Sequence, residues 1–193
     1  MDNNYIFQYW EAIQNGTVTV GKWIKTIYEI LVNGLKSGKW DFDEEKANKA
    51  INFIENFCHH SEGRNDLLKL ELWQKAIVSA IFGIMDKRTG YRQFREVFIV
   101  VARKNGKTLF AAAIAAYMAY IDGEYGAKVY FLAPKLDQAD LVYDAFYQIV
   151  QADDELDSIT KKRRSDIYIK EFNTSVKKIA FNSKKSDLSL IHI

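Results

Sequence analysis

The sequence predicts an α/β fold with a mostly parallel sheet, preceded by a helical N-terminal segment. Two observations predict it. From Leu67 onward, short runs rich in β-branched residues alternate with longer helical patterns, and before that point the pattern is helical and charge-rich. Strands that alternate with helices favour right-handed βαβ units and therefore parallel strands. We expect a helical leader over residues 1–66, a core domain over 67–187 and a separate tail over 188–193.

Composition supports a folded chain without a strong overall field. Of the 193 residues, 48% are hydrophobic and 14% aromatic, which favours a core over disorder. A net charge of +2 means that any contact with nucleic acid has to be local. The single cysteine, Cys58, excludes an internal disulfide and suits a reducing compartment. Because the N-terminus lacks a signal-peptide pattern and the longest apolar run, Leu109–Ile121, is too short to span a bilayer, we expect no membrane association.

Two helices follow from the apolar spacing of the leader. The stretch VGKWIKTIYEILVNGLKSG forms the first, with one apolar face of Trp23, Ile24, Ile27, Ile30 and Leu31. The stretch DFDEEKANKAINFIENF forms the second, with Asp41 or Asp43 as N-cap and a stripe of Ala47, Ala50, Ile51, Ile54 and Phe57. The polar stretch HHSEGRND then ends the leader.

The core follows as an alternation of elements. LLKLELWQKAIVSAIFGI is a helix, EVFIVVA a buried strand, KTLFAAAIAAYMAYI a helix that is apolar on nearly all sides, and AKVYFLAP a second buried strand ended by Pro134. LDQADLVYDAFYQIVQ is an amphipathic helix, and DIYIKEF and VKKIAF alternate like paired, half-buried strands.

The stretch VARKNGKT ends like a phosphate-binding loop, with Gly106, Lys107 and Thr108 in the order that the pattern G-x-x-x-x-G-K-[ST] requires. Val101 stands where that pattern has its first glycine. A predicted strand over 96–101 leads into the loop, and a helix is predicted to begin at Lys107 or Thr108. A helix N-terminus offers unpaired N–H groups and a positive dipole end to phosphate oxygens.

Each residue of this loop then has a chemical role. Gly106 lets the backbone approach the phosphates, Lys107 reaches the β- and γ-phosphates, and Thr108 holds Mg²⁺. The alternative is that Asn105 and Gly106 form only a turn and that Lys107 is a solvated lysine. Because a strand is expected before the loop and a helix after it, the sequence favours a nucleotide site and hence a P-loop NTPase core.

Three other patterns are weaker. GLKSGKW, over 34–40, also contains Gly-Lys, but Trp40 replaces the required hydroxyl and no strand precedes it, so we interpret it as a turn between helices. CHH, over 58–60, has no second pair of metal ligands at a suitable spacing, which disfavours a zinc site. KKRR, over 161–164, lies beside DDELD and is interpreted as a solvated loop, with a DNA-backbone contact as the alternative.

The altered front half of the loop is informative. VARKNGKT resembles the variant phosphate loop of the large terminase subunit of tailed bacteriophages, in which the first glycine is often lost and a basic residue stands within the loop. LELWQKAIVSAIFG resembles the element upstream of that loop that approaches the adenine. VYFLAPKLDQADLVYDAF resembles the following strand and helix, and FDEEKANKAINFIENF resembles the helical N-terminus. The resemblance covers residues 5–187.

The resemblance implies an ATPase that drives double-stranded viral DNA into a preformed capsid, with ATP and Mg²⁺ as its cofactors. It implies a portal protein and a small terminase subunit as partners, a ring of copies, and the host cytoplasm as location, transiently at the procapsid portal. The implied catalytic residues are Arg103 and Lys107, and Thr108 is the implied Mg²⁺ ligand. The implied nucleotide contacts are Arg103, Lys104, Asn105, Gly106, Lys107, Thr108, Gln74 and Trp73.

Arg103 has a specific implied role, whereas Lys104, Gln74 and Trp73 each have an ordinary alternative. Arg103 presents a planar, always-charged fork suited to γ-phosphate oxygens, which makes it a candidate for stabilising transition-state charge. Lys104 beside it is equally well interpreted as a solvated lysine. Gln74 is otherwise an exposed helix glutamine, and Trp73 is otherwise a core aromatic residue.

Two features depart from the family. Its full-length members carry an acidic pair after a buried strand and a nuclease half rich in carboxylates, whereas this sequence has no run of four apolar residues followed by Asp-Glu. The tail LSLIHI, Leu188–Ile193, is one reading frame of CTGTCTCTTATACACATC, a transposon-end sequencing adapter. We therefore expect the natural protein to continue past Asp187 and this chain to hydrolyse ATP negligibly. The alternatives are a natural terminal strand or a degenerate acidic motif with His192.

Two further functional classes stay open at this point. A helicase-like DNA translocase shares the strand–loop–helix pattern, and a non-catalytic nucleotide-binding or interaction fragment fits a shortened chain. A longer reading frame separates them, because a terminase predicts an acidic pair and then a nuclease domain, whereas a helicase predicts a second RecA-like domain.

Overall fold

The computed structural model describes residues 4–60, 63, 66–122 and 124–180. Asp187 and the tail 188–193 lie outside these residues. The elements, in chain order, are α1 (Tyr5–Gln14), α2 (Lys22–Lys36), β1 (Asp41–Phe42), α3 (Glu44–Phe57), α4 (Leu72–Gly83), β2 (Ile84–Met85), α5 (Lys107–Tyr120), β3 (Lys128–Ala133), α6 (Leu136–Gln151), α7 (Asp154–Ile159), β4 (Thr160–Lys162), β5 (Ile167–Ile169) and β6 (Thr174–Ala180). None of the helices in the described ranges has the length and apolar content needed to cross a membrane.

The chain forms two compact units. The first comprises Met1–Phe53 and Lys69–Ile99, and the second comprises Ile54–Leu68 and Val100–Ile193. This division does not coincide with the limit predicted at residue 66, which stays a prediction.

Helices α1, α2 and α4 enclose the core of the first unit. Helix α1 begins at Tyr5 because the side chain of Asn4 accepts a hydrogen bond from the Ile6 N–H at 3.0 Å. Tyr9 of α1 meets Tyr28 of α2 edge-on, with ring centroids 4.7 Å apart. The buried members of this core are Ile6, Tyr9, Ile13, Tyr28, Leu31, Val32, Trp40, Ala76 and Ile84.

The face that α2 buries differs from the predicted face at four of its five residues. Trp23 is 74% exposed, and Ile24, Ile27 and Ile30 are exposed as well. The helix instead buries Tyr28, Leu31 and Val32, so only Leu31 of the predicted face is in the core. The prediction was wrong because α2 carries apolar side chains on two faces, and periodicity alone does not tell which face a neighbouring element covers.

The end of α2 packs tightly on an aromatic ring. A Cβ atom built on Gly34 would lie 2.3 Å from Cζ3 of Trp40. Trp40 in turn meets Phe94 edge-on, with centroids 5.6 Å apart. The stretch over 34–40 is therefore a helix end followed by a turn, as predicted, and only glycine fits at position 34.

Helix α3 has the predicted cap and stripe. The Asp43 carboxylate accepts a hydrogen bond from the Lys46 N–H at 2.9 Å, so Asp43 is the N-cap residue. The stripe residues Ala47, Ala50, Ile51 and Ile54 are buried, and Phe57 is partly exposed.

The second unit contains a four-stranded sheet in the order β3-β6-β5-β4. Strands β3 and β6 are parallel, whereas β6 with β5 and β5 with β4 are antiparallel. The described sheet is thus mixed, and the predicted mostly parallel sheet is corrected. The reason is the short turn over 170–173, since a turn of that length joins only antiparallel neighbours.

The strand predicted over 96–101 is also corrected. Residues 96–102 have no regular secondary structure, and Phe98 is 93% exposed. A strand needs a neighbour that accepts its hydrogen bonds, and within the described residues no strand lies beside this segment.

Strand β3 forms as predicted but is not buried on both faces. Tyr130 and Leu132 are exposed, and the intervening residues are only partly so. Phe131 contacts Tyr143 and Phe146 of α6, so α6 covers one face of the strand. The apolar composition of β3 predicted a strand correctly but could not show that one face lacks a covering layer.

Candidate nucleotide site

The loop over 101–106 leads directly into α5. The helix begins at Lys107, and its first backbone hydrogen bond runs from the Phe110 N–H to the Gly106 carbonyl oxygen at 2.9 Å. The predicted helix start is confirmed. The first N–H groups of α5 therefore face the loop side of the helix, where an anion is favoured by the dipole.

Two residues of the loop have left-handed backbone conformations. Lys104 has a φ of 68° and Gly106 a φ of 66°. A positive φ is uncommon for lysine, so the surrounding loop, and not a preference of Lys104 itself, causes this conformation. An ideal Cβ on Gly106 would meet nothing within 4 Å, so the backbone conformation, not the space, requires glycine there.

The side chain of Asn105 makes hydrogen bonds within the loop. Its side-chain amide donates hydrogen bonds to the carbonyl oxygens of Ala102 and Arg103, at 3.3 and 3.4 Å. The turn itself covers Arg103 and Lys104, and Asn105 and Gly106 follow it as a bend directly before the helix. A contact of Asn105 with a nucleotide stays a prediction.

Three cationic residues lie just before or at the first residue of α5. Arg103, Lys104 and Lys107 are exposed, and none of them pairs with a carboxylate in the part of the chain that the structure describes. The first turn of α5 contains no acidic residue, and Gly106 has no side chain with which to cap it. A positive helix end and cations without an internal counter-charge favour the binding of an anion.

Thr108 is half-buried in the first turn of α5, one residue after Lys107. The hydroxyl oxygen of threonine is a hard ligand of the kind that Mg²⁺ takes. Its role as a metal ligand stays a prediction.

Gln74 has a structural partner that the sequence motif did not indicate. Its side-chain oxygen accepts a hydrogen bond from the Glu71 N–H at 2.9 Å, and the Glu71 carboxylate accepts one in return from the backbone of Gln74. This is a capping box, with Glu71 where the usual sequence signature has Ser, Thr, Asp or Asn. Gln74 is 8% exposed, so its interpretation as an exposed helix glutamine was wrong.

Trp73 packs, partly buried, against the core of the first unit. The core interpretation of this residue is therefore confirmed. Trp73 and Gln74 belong to the first unit, whereas the loop over 101–106 belongs to the second. Their contact with adenine stays a prediction.

Two other predicted patterns have a clear placement. Cys58 is buried, and burial raises the pKa of its thiol to about 12, which disfavours the thiolate that zinc binds. The described residues contain no group of three or more His, Cys, Asp or Glu side chains that could hold a metal ion. Lys161 and Lys162 lie in β4, so the basic run over 161–164 is not wholly the loop that was predicted.

Comparison with known proteins adds two findings. A family model described as the ATPase domain of the terminase large subunit matches residues 72–189, which is more than half of the chain. Among solved structures, the crystal structure of the HK97 bacteriophage large terminase is similar over 75% of this chain, with 24% identity and a TM-score of 0.62. The chain spans 29% of the length of that structure's chain. A search of curated proteins found no match.

Proposed function

The chain belongs to the family of terminase large-subunit ATPase domains, and we propose that its loop over 101–108 binds ATP with Mg²⁺ as part of a motor that packages phage DNA. The observation that carries the proposal is the start of α5, where Arg103, Lys104 and Lys107 lie without a counter-charge from any described residue. A triphosphate supplies the missing negative charge. The proposed fold is a P-loop core with a variant first half of the loop.

The residues of the loop and of the first turn of α5 suit both ATP and Mg²⁺. The N–H groups at the start of α5 and the ammonium of Lys107 are donors for phosphate oxygens, and the Thr108 hydroxyl is an oxygen ligand for Mg²⁺. When bound, Mg²⁺ neutralises charge that develops on the β- and γ-phosphate oxygens. Lys107 orients the phosphates and Thr108 orients the metal.

Arg103 has a different role in the proposal. Its guanidinium is always charged and presents several donors in a plane, which suits the spread charge of a transferring γ-phosphoryl group. We assign it to transition-state stabilisation, with Lys104 and Asn105 as further phosphate-side contacts. Gln74 and Trp73 are the proposed adenine contacts.

The wider assembly is part of the same proposal. The partners are double-stranded viral DNA, a portal protein, a small terminase subunit and further copies of the chain in a ring, in the host cytoplasm and at the procapsid portal. A nuclease domain belongs to the proposed parent protein. The family match over 72–189 favours packaging over a helicase-like translocase.

Binding of a fluorescent ATP analogue in the presence of Mg²⁺ tests the site. Lys107→Ala should weaken binding by about tenfold or more, because one charge-assisted contact is worth roughly 1.5–3 kcal/mol. The matched control is Lys135→Ala, since Lys135 also stands exposed at the start of a helix, α6. Equal binding by the wild type and Lys107→Ala would contradict the proposed site.

Turnover tests the catalytic assignments. The chain of 193 residues lacks an acidic pair after a run of apolar residues and should hydrolyse ATP negligibly. In a full-length large subunit, Arg103→Ala should lower the rate of turnover more than it weakens ATP binding, whereas Lys107→Ala should damage both. Robust turnover by the chain itself, abolished by Lys107→Ala, would place the catalytic base within these residues.

A further inference from the structure

The four-stranded sheet of the second unit has one face that α6 covers and one that it does not. On the covered face, Phe131 of β3 lies 6.0 Å from Phe146 between ring centroids, and the Lys162 ammonium lies 4.0 Å from the ring centroid of Tyr147. Successive side chains of a strand point to opposite faces. The residues that alternate with Phe131 and Lys162 therefore project from the other face of the sheet.

A row of four residues crosses that other face. Lys128 of β3 is the register partner of Ser175 in β6, Ser175 is the partner of Tyr168 in β5, and Tyr168 is the partner of Lys161 in β4. Because neighbouring strands lie about 4.8 Å apart, the two lysines at the ends of the row are separated by three spacings, about 14 Å.

Two more cations lie on the same face, one beside this row and one in the adjacent row. The guanidinium of Arg163 lies 3.5 Å from the ring centroid of Tyr168, and the Tyr168 hydroxyl donates a hydrogen bond to the Asn173 side-chain oxygen at 2.9 Å. The anchored ring holds the guanidinium over the face. In the adjacent row, Lys177 is the register partner of Tyr130. We call the surface formed by Lys128, Lys161, Arg163 and Lys177 the basic sheet face.

The cations of the basic sheet face lack internal counter-charges. Among the described residues, none of the four pairs with a carboxylate, and the row of Lys128, Ser175, Tyr168 and Lys161 contains no acidic residue. On the covered face, by contrast, the Lys178 ammonium pairs with the carboxylate of Asp140. In a chain whose net charge is only +2, four uncompensated cations on one surface are a local concentration of positive charge.

We propose that the basic sheet face contacts the phosphate backbone of double-stranded DNA. The inference rests on the proposed function as a DNA-packaging motor and names the surface of this chain that would hold the polymer. Contacts of this kind carry no sequence information, which suits a motor that moves a whole genome.

The geometry favours a duplex over a single strand. The span of about 14 Å between Lys128 and Lys161 is comparable with the width of the major groove, about 12 Å, so the two lysines can reach phosphates on both sides of that groove. Proteins that bind single strands stack bases on open aromatic rings. The ring of Tyr168 at the centre of the row is already covered by Arg163. Tyr130 in the adjacent row is exposed, but one open ring does not provide a series of stacking positions.

Fluorescence anisotropy with a labelled duplex of about 30 base pairs tests the proposal over a salt range of about 50–200 mM. The double variant Lys128→Gln/Lys161→Gln should raise the Kd on the order of tenfold and lower the slope of log K against log salt by about 2, since each lost phosphate contact removes about 0.9. The matched control is Lys25→Gln/Lys49→Gln, which removes two exposed lysines of the first unit and the same net charge.

The outcomes are distinct. The proposal is supported if the face variant binds DNA more weakly and with a smaller salt dependence, while the control binds like the wild type. Both variants should keep the circular dichroism of the wild type. Equal binding by the face variant and the wild type, no binding by the wild type at about 50 mM salt, or tighter binding to a single strand of the same length overturns it.

The same proteins separate this inference from the proposed function. If ATP binding depends on Lys107 but DNA binding does not depend on Lys128 and Lys161, the surface assignment fails and the nucleotide site stands. If DNA binding depends on these lysines but no ATP binding is measured, the nucleotide site fails and the surface stands.

Discussion

At the scale of single residues, Gly106 shows how the loop depends on backbone conformation. Its φ of 66° lies in the left-handed region, and a side chain would meet open space there. Gly106→Ala therefore adds no clash but imposes a strain of about 1–2 kcal/mol on the conformation seen. If ATP needs this conformation, the Kd measured by titration should rise by about 5- to 30-fold.

Gly106→Asn is the matched control, because asparagine adopts the left-handed region at lower cost than alanine. We expect its affinity for ATP to lie between those of the wild type and Gly106→Ala. Unchanged affinity in Gly106→Ala would mean that the bound loop does not use this conformation.

Which residue-scale features the sequence could predict depends on how local their cause is. The start of α5 at Lys107 was predictable, since the phosphate-loop pattern places its Gly-Lys-Thr at the beginning of a helix. The positive φ of Lys104 was not, because lysine has no preference for it and the surrounding loop imposes it. The role of Gln74 in the capping box was not predicted, because Glu71 is not one of the residues by which a capping box is recognised in a sequence.

At the scale of elements, the junction between α2 and Trp40 is the tightest packing around any glycine of the first unit. Gly34→Ala would place a Cβ 2.3 Å from the indole ring, so the helix or the ring has to move. We expect the free energy of unfolding to fall by about 1–3 kcal/mol, the usual cost of overpacking, measured by urea denaturation.

Gly21→Ala is its control. Gly21 precedes α2, has an ordinary φ of −71°, and would meet nothing within 4 Å of an added Cβ. Its effect should stay below about 1 kcal/mol, the scale of a weak cap change. Equal effects of the two substitutions would show that contact with Trp40 does not limit position 34.

Elements whose stability is local were predicted better than elements that need a partner. Helices α3, α5 and α6 follow from their own apolar residues, and α3 also from its cap at Asp43. The hairpin β5–β6 follows from its alternation. The segment over 96–101 has strand-forming residues but no described partner strand, so composition alone misled the prediction. The face that α2 buries was likewise decided by packing against α1, which no local pattern records.

At the scale of the whole molecule, buried tyrosine and cysteine side chains lower the stability of the fold at high pH. Burial raises the pKa of Tyr28 and of Tyr120 above the ordinary value of 10.0, and raises that of Cys58 from 9.0 to about 12. The folded protein keeps protons that the unfolded chain releases. Stability should therefore be unaffected by these groups below pH 9 and fall as pH rises above it, by up to about 1.4 kcal/mol per pH unit for each group.

Urea denaturation between about pH 7 and 11 checks this prediction. Tyr120→Phe removes one of the groups and should make the alkaline decline shallower. It also removes the 2.6 Å hydrogen bond between Tyr120 and Thr160, which lowers stability by about 1 kcal/mol at every pH. A free energy of unfolding that stays constant up to pH 11 would contradict the assigned causes.

The exposed apolar segment over 97–100 has a practical consequence for work with concentrated protein. Phe98 is 93% and Val100 78% exposed, and both lie in a run of Val, Phe and Ile residues that contains no proline. Such a run adheres readily to the same run on another molecule, so the monomer should be lost from concentrated solutions at a rate that rises steeply with concentration. Light scattering would follow that loss, and Phe98→Lys should slow it by putting a repelling charge on each molecule. Self-association, more than unfolding, then limits the concentration at which the protein can be stored.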